Sequence, residues 1–316
     1  MLRLLARYGL LALAVLLLNF FLPRLLPGDP LDFSDTAGFA TSTLNADARA
    51  HLRATYHLDQ PLANQLGAYL SDLAHADLGW SISRSAPVAE LIGARLPWTL
   101  GLVVSAIVVA GLVGGGLGLL AAWRGGRAGW LVVGAAAVLS AVPEFLLAMA
   151  LLLALAVGLR WFPLQGGQSP FGDAGLNLLD VAWHLSLPAL TLVLATSGTF
   201  VLLAHGAIIA VREEPYLMTA RSRGLGESQV ALRHALPNAV LPLLTLLGVR
   251  LGQVLGGAIV VERVFAVPGL GLLSVEAIRA RDYPVLQAVF LLASLGVLAA
   301  NFLLELAYRR LEPRRS

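Results

Sequence analysis

Few residues in this chain are equipped for chemistry, and their placement is uneven. There is no cysteine, which excludes disulfides and thiolate metal sites. There is no lysine either, so all 22 residues counted as Lys+Arg are arginines. A P-loop needs a lysine on the nucleotide phosphates, so the chain carries no Walker A site, and nothing in it resembles another nucleotide site. Uphill work would therefore draw on a partner or an ion gradient. The six histidines (His51, His57, His75, His184, His205 and His234) show no metal-ligand spacing, and His205 reads as structural or interfacial. No Ser/His/Asp grouping marks a plausible catalytic site.

What remains is charge in unusual places. Glu144 and Arg250 each stand inside an apolar run, and Glu262 with Arg263 closes the run that holds Arg250. A charge at the centre of a bilayer costs roughly 2.5–3.5 kcal/mol on insertion scales. That cost argues for pairing, for lining a wet pathway, or for both. The bland alternatives are a static ion pair or a protonated Glu144. The third feature is a basic, glycine-broken island, "MTARSRGLGESQVALRHALP", from Met218 to Pro237.

The elements that position these residues are membrane helices. The chain is 58% hydrophobic and 13% charged, with mean hydropathy +0.78, whereas soluble domains carry roughly 25% charged residues. The composition is that of an all-α integral membrane protein. A helix needs about 20 apolar residues to cross the hydrocarbon. Six segments qualify: Leu4–Leu22, Leu100–Trp123, Trp130–Val157, Leu185–Ala210, Ala239–Val261 and Val285–Leu306. The first reads as a retained span, because "FLPRLLPGDP" follows it in place of a small-residue cleavage site.

Arginine placement sets the expected orientation. Arg3 and Arg7, then Arg124 and Arg127, then Arg212, Arg221, Arg223 and Arg233, then Arg309, Arg310, Arg314 and Arg315 fall on one side if the spans alternate. That side is expected to be the cytoplasm, with both termini inside. The opposite side then carries Pro27–Trp98, which is richer in acids than in arginines and has helical spacing near Ala48–Tyr56 and Leu62–Leu73. It is expected to be a small external helical cap, and Arg160–His184 an external loop. Glu144 and Arg250 come out at similar depth, about 17–21 Å from the cytoplasmic starts of their spans at ~1.5 Å per residue. Gly248, Gly252 and Gly256 form a small-residue stripe for helix packing. Arg250 points away from that stripe and is available to a pathway. Gly111 with Gly115, and Gly114 with Gly118, read as packing stripes too.

The island is expected to be a short helix over Arg212–Gly224 and a second over "GESQVALRHALP" that ends at Pro237. A solvated positive-inside loop explains its charge but not its length or pattern. Thr219-Ala220, Gly224 and Leu236-Pro237 resemble the "EAA" loop of binding-protein-dependent ABC importer permeases. Ala220, Gly224, Leu236 and Pro237 are in register; Met218-Thr219 replaces the Glu-Ala pair and His234 an apolar residue. "YLMTARSRGL", "RHALPNAVLP" and "VFAVPGLGLLSVEAIRARDYPVLQ" resemble the peptide/nickel branch of that family. "LPGDP", "LDQPL", "PVAELIGARLPWTL" and "SAVPEF" extend the likeness over nearly the whole chain.

The resemblance implies a type I ABC importer permease fold in a bacterial inner membrane, with residues 1–26 as first helix, 27–98 external, 99–306 a five-helix core and 307–316 a cytoplasmic tail. It implies that the loop 212–237 docks on a cytoplasmic ATPase through Tyr216, Leu217, Thr219, Ala220, Arg221, Arg223, Gly224, Leu236 and Pro237. Tyr216, Leu217 and Ala220 would supply an apolar edge for a groove, and Arg221 and Arg223 rim contacts. Glu213, Glu214 or Glu227 would stand in for the missing acid at Met218. Glu144, Arg250 and Glu262 are the candidate pathway residues; the resemblance puts Glu262 and "VFAVPGLG" near the external gate, where a hinge and a substrate contact are equally open readings. The implied partners are a second related permease in a heterodimer, two ATPases carrying ATP and magnesium, an extracytoplasmic binding protein, and membrane lipid. No nucleic acid is expected, and no cofactor or metal on this chain. The implied cargo is a small peptide or, alternatively, nickel or a metal chelate. A secondary transporter would require paired broken helices and repeated intramembrane acids, and an intramembrane enzyme would require convergent catalytic side chains; the spans show neither pattern clearly.

Overall fold

The computed structural model describes residues 2–24, 60–169, 177–254 and 258–311. In chain order these form α1 (Leu2–Arg24), α2 (Leu62–Ala74), a hairpin of β1 (Trp80–Ser81) and β2 (Ala86–Pro87), α3 (Val88–Arg124), α4 (Gly126–Ala141) and α5 (Glu144–Leu151). There follow α6 (Leu178–Arg212), α7 (Pro215–Ser222), α8 (Glu227–Gln229), α9 (Leu236–Gly252), α10 (Ile259–Val264), α11 (Leu270–Arg279) and α12 (Tyr283–Leu311). Wider π-helical turns continue α5 over Leu152–Gly158 and join α8 to α9 over Val230–Ala235.

Among the described residues, five helical stretches are long and apolar enough to cross a membrane: those in α1, α3, α6, the continuous Glu227–Gly252, and α12. The expected span Trp130–Val157 is instead a bent pair, α4 and α5 with its continuation, at 99° to each other. Pro143 breaks it. Proline has no N–H for the helical ladder and pushes the residue before it to extended backbone, as at Val142 (φ −78, ψ 123). Glu144 therefore opens a helix at a corner and does not sit midway along a straight one.

Other boundaries also move. α6 begins at Leu178, inside the stretch expected as a loop, because the Asn177 side chain accepts from Leu179 N and Asp180 N and caps the first turn. α3 begins at Val88, so the expected boundary at residues 98 and 99 falls within one helix. A helix near Leu62 is present as α2, whereas Ala48–Tyr56 lies outside the described residues. Pro237 does not end a helix. It sits in the first turn of α9, and the widened turn before it makes room for a ring that would otherwise meet a preceding carbonyl.

Small residues bring the long helices together. A Cβ on Gly114 or Gly118 of α3 would collide with the α6 backbone at Ser197 and Val201. On α9, Gly248 faces Leu304 and Gly252 faces Ala300 and Val297 of α12; Gly256 lies outside the described residues. The bundle has two distinct ends. One gathers Ala122, Ile208, Leu217, Ala220, Val230 and Ala239, and is called the loop end. The other gathers Val88, Ile92, Leu270, Leu273 and Val285. There the hairpin is held by Asp282, fully buried, which accepts from Ser81 Oγ and Ser83 Oγ, each at 2.6 Å. α1 runs antiparallel to α12: Asn19 Nδ2 donates to Gln287 O (2.7 Å), and Tyr8 OH donates to Glu305 (3.3 Å). The start of α1 and the end of α12 thus lie toward the loop end.

Candidate functional site

The loop end is built on α7. Its sequence, PYLMTARS, places Pro at the first turn, where a missing N–H costs nothing. Gly224 ends the turn after it with φ +77, a left-handed conformation that glycine adopts freely. Chain direction then reverses into α8. Arg221 Nε donates to Glu227 Oε1 at 2.8 Å across that turn, so Glu227 engages an arginine of its own loop.

The face of α7 differs from the expected one. Leu217 and Ala220 are 0% and 6% exposed, and they pack inward against Ala122, Ile208, Val230 and Ala239. Met218 is 67% exposed and Leu232, from the π-turn, 61%; Thr219, Ser222 and Arg223 are exposed beside them. A short helix with apolar residues at 216, 217, 218 and 220 has two possible apolar edges. The cluster of small and aliphatic residues at the ends of α3 and α6 takes the Leu217–Ala220 edge. Tyr216 is partly exposed, and its hydroxyl accepts from Asn238 Nδ2 at 2.7 Å. Leu236 is half-buried and Pro237 exposed at the start of α9.

Glu144 and Arg250 are both half-buried. Arg250 lies close enough to attract the Glu144 carboxylate, yet the two form no ion pair among the described residues. One carboxyl oxygen of Glu144, Oε1, is buried with no hydrogen-bond partner. Among the described residues, that oxygen is therefore left open to a third party. The Pro143 break supplies the corner that turns Glu144 inward, a role the sequence signalled only through the "VPE" order.

Glu262 is placed otherwise than a pathway residue requires, because it is fully buried. Thr99 Oγ1 donates to its Oε1 at 2.7 Å, and Leu272 N donates to its Oε2 at 3.0 Å. Thr99 Oγ1 accepts in turn from Leu270 N at 2.8 Å. The carboxyl group therefore binds the first turn of α11 and ties it to α3. A Cβ on Gly269 would collide with that carboxyl group, which explains a glycine in "VPGLG". Burial pushes the Glu262 carboxyl above the usual carboxylate range, against the opposing pull of Thr99, the Leu272 and Gly271 amides and Arg95. Beside this clasp, Gly166 N donates to Phe265 O at 2.9 Å, and Gly167 fits under Trp98 and Pro268. The sequence did not flag Thr99.

Comparison with known proteins gives this arrangement its context. Residues 114–316 match the family described as binding-protein-dependent transport system inner membrane component. The chain is 37% identical over 305 residues to a peptide transport system permease protein of Brucella abortus (strain 2308), covering 96% of this chain and 94% of that one. It is 36% identical over 301 residues to the glutathione transport system permease protein GsiC of Escherichia coli O6:H1, covering 95% and 92%. The corresponding protein of Pectobacterium atrosepticum is 35% identical over 302 residues, covering 95% and 93%. With a family match over more than half its length and relatives aligned nearly end to end, this chain belongs to the inner-membrane permease components of binding-protein-dependent ABC importers.

Proposed function

We propose that this multi-pass inner-membrane permease forms half of a translocation pathway for small peptides, in a heterodimer with a second, related permease. Two separate ATPase subunits carry ATP and magnesium, and an extracytoplasmic binding protein delivers the peptide. The observation that carries the reading is the α7 loop. It is a short helix seated on the ends of α3 and α6, it turns at Gly224, and it presents Met218 and arginine side chains outward. Tyr216, Thr219, Arg221, Leu236 and Pro237 complete the docking surface, with Leu217 and Ala220 holding it from behind.

In this reading the loop end is cytoplasmic, together with both termini and the tail 307–316. Six helices cross the membrane, the α4–α5 pair counting as one. Residues 27–98 lie outside as a cap and 99–306 form the core. The arginine groups support that orientation. The peptide assignment is supported by the names of the relatives and by two charges of opposite sign, Glu144 and Arg250, suited to the two ends of a zwitterion. In this reading cofactors stay with the partner subunits, and the sequence, having no lysine, offers no P-loop phosphate cradle.

The test is reconstitution in proteoliposomes with the second permease, the ATPases and the binding protein. ATP-dependent uptake of labelled di- and tripeptides is expected. Uptake of none of them, from a complex that hydrolyses ATP in response to its binding protein, refutes the peptide assignment.

A further inference from the structure

Arg212 is the last residue of α6, immediately before the two-residue junction that starts α7. Arg212 is exposed, but its guanidinium folds back onto the end of α3. Nη1 donates to the carbonyl oxygen of Ala122 at 2.7 Å, and Cζ lies 5.5 Å from the centroid of the Trp123 ring. Ala122 is buried in the last turn of α3. The final carbonyls of a helix have no partner within it. Gly125 N takes Ala121 O at 3.0 Å, and Arg212 takes the next one. A cation there also meets the negative end of the α3 dipole, and its stacking on an indole adds attraction.

The consequence is mechanical. α7 is tied to α9 through Tyr216 and Asn238, and its base is tied to α3 through Arg212. Gly125, at φ +62, starts the reversal into α4. A displacement of α7 therefore has a bonded route to the α3–α4 turn, and α4 leads to the Pro143 corner and Glu144. Without the Arg212 contact, the junction at Glu213 and Glu214, both exposed, is free to absorb the movement.

We propose that Arg212 is a positioning residue that passes displacement of the α7 loop to the end of α3. The proposal rests on the reading of α7 as the ATPase-docking loop. The experiment uses the complete reconstituted transporter and measures substrate imported per ATP hydrolysed, with ATPase co-purification as the control for assembly. Arg212→Gln removes the cation, and the ratio is expected to fall about fivefold or more while hydrolysis continues. Arg212→Lys, which still donates to Ala122 O and lies over Trp123, is expected to restore most of it. Trp123→Leu is expected to lower it less than Arg212→Gln. An unchanged ratio in Arg212→Gln overturns the proposal. If Arg212→Gln does not assemble, Trp123→Leu decides, and an unchanged ratio there overturns it equally. Gly224→Asp separates the two readings. If it uncouples while Arg212→Gln does not, only the Arg212 role fails; if neither changes the ratio, the docking-loop reading fails with it.

Discussion

Thr99 and Glu262 form a buried hydrogen bond of 2.7 Å between residues far apart in sequence, and the same hydroxyl accepts the Leu270 amide at 2.8 Å. One side chain thus satisfies both a carboxyl oxygen and an orphan helix N–H. Thr99→Val keeps the shape and leaves both partners unmatched, at a cost of about 1–3 kcal/mol per orphaned group. The purified permease is expected to melt several degrees lower, with Thr99→Ser close to the parent. A Thr99→Val protein that melts with the parent would show that the clasp does not hold the fold.

The Glu262 carboxyl carries a pH signature. Burial raises it above its ordinary value of 4.5, so the folded state holds the proton more tightly than the unfolded chain. The stability this gives is fully present below the unfolded value and is lost as pH rises through the folded one. As pH rises above about 4, the parent is expected to lose thermal stability relative to Glu262→Gln. Parallel curves would mean that the group does not titrate in that range.

The α7 face predicts a split between two neighbours. Leu217 is fully buried and Met218 is 67% exposed. Leu217→Ala empties a packed site and is expected to destabilise by about 2–5 kcal/mol, seen as reduced permease in the membrane. Met218→Asp is expected to leave the amount of permease unchanged and to reduce ATPase co-purification. The opposite assignment of the two effects would reverse the proposed docking face.

That split also shows how far the sequence was legible. Composition and apolar run length are enough to identify membrane helices, because each crossing must bury its own backbone bonds. They do not locate the corner at Pro143, since the apolar run continues on both sides of it. Nor do they choose between the two edges of α7, because the choice depends on which edge the ends of α3 and α6 can cover. For Glu262 the sequence leaves a pathway contact and a hinge equally open for a related reason: its partners, Thr99 and the amides of Gly271 and Leu272, come together only when α11 folds back on α3. Gly248 and Gly252 were readable as packing residues, because a stripe of missing side chains has the same meaning in most membrane bundles.

Glu144 and Arg250 are predicted to act on cargo more than on the fold. Glu144 Oε1 has no hydrogen-bond partner, so Glu144→Gln removes no protein contact of that oxygen. Thermal stability is expected to be unchanged or slightly raised, with peptide uptake reduced about tenfold, the effect of roughly 1.4 kcal/mol of lost interaction. N-acetylated peptides, which lack the ammonium group, are expected to discriminate less between parent and mutant. Loss of stability with proportional loss of uptake for every peptide would assign Glu144 a structural role.

Gly224 tests the loop itself. Its φ of +77 strains most side chains, but the space around its missing Cβ is open, with nothing within 4 Å. Asparagine and aspartate tolerate that conformation better than other side chains, so they differ here mainly in charge. Gly224→Asn is expected to keep most uptake. Gly224→Asp places a negative charge on a turn whose outward arginines fit an acidic partner, and like charges brought together across an interface cost several kcal/mol. At about 1.4 kcal/mol per factor of ten, Gly224→Asp is expected to lose at least tenfold in uptake at matched permease levels. Insertion is expected to be unaffected, because the turn is polar and lies at the loop end, outside the apolar spans. The measurement pairs peptide uptake with ATPase co-purification for both mutants. Equal uptake in Gly224→Asp and Gly224→Asn would remove charge from the explanation, and normal uptake in both would place Gly224 away from the coupling contact.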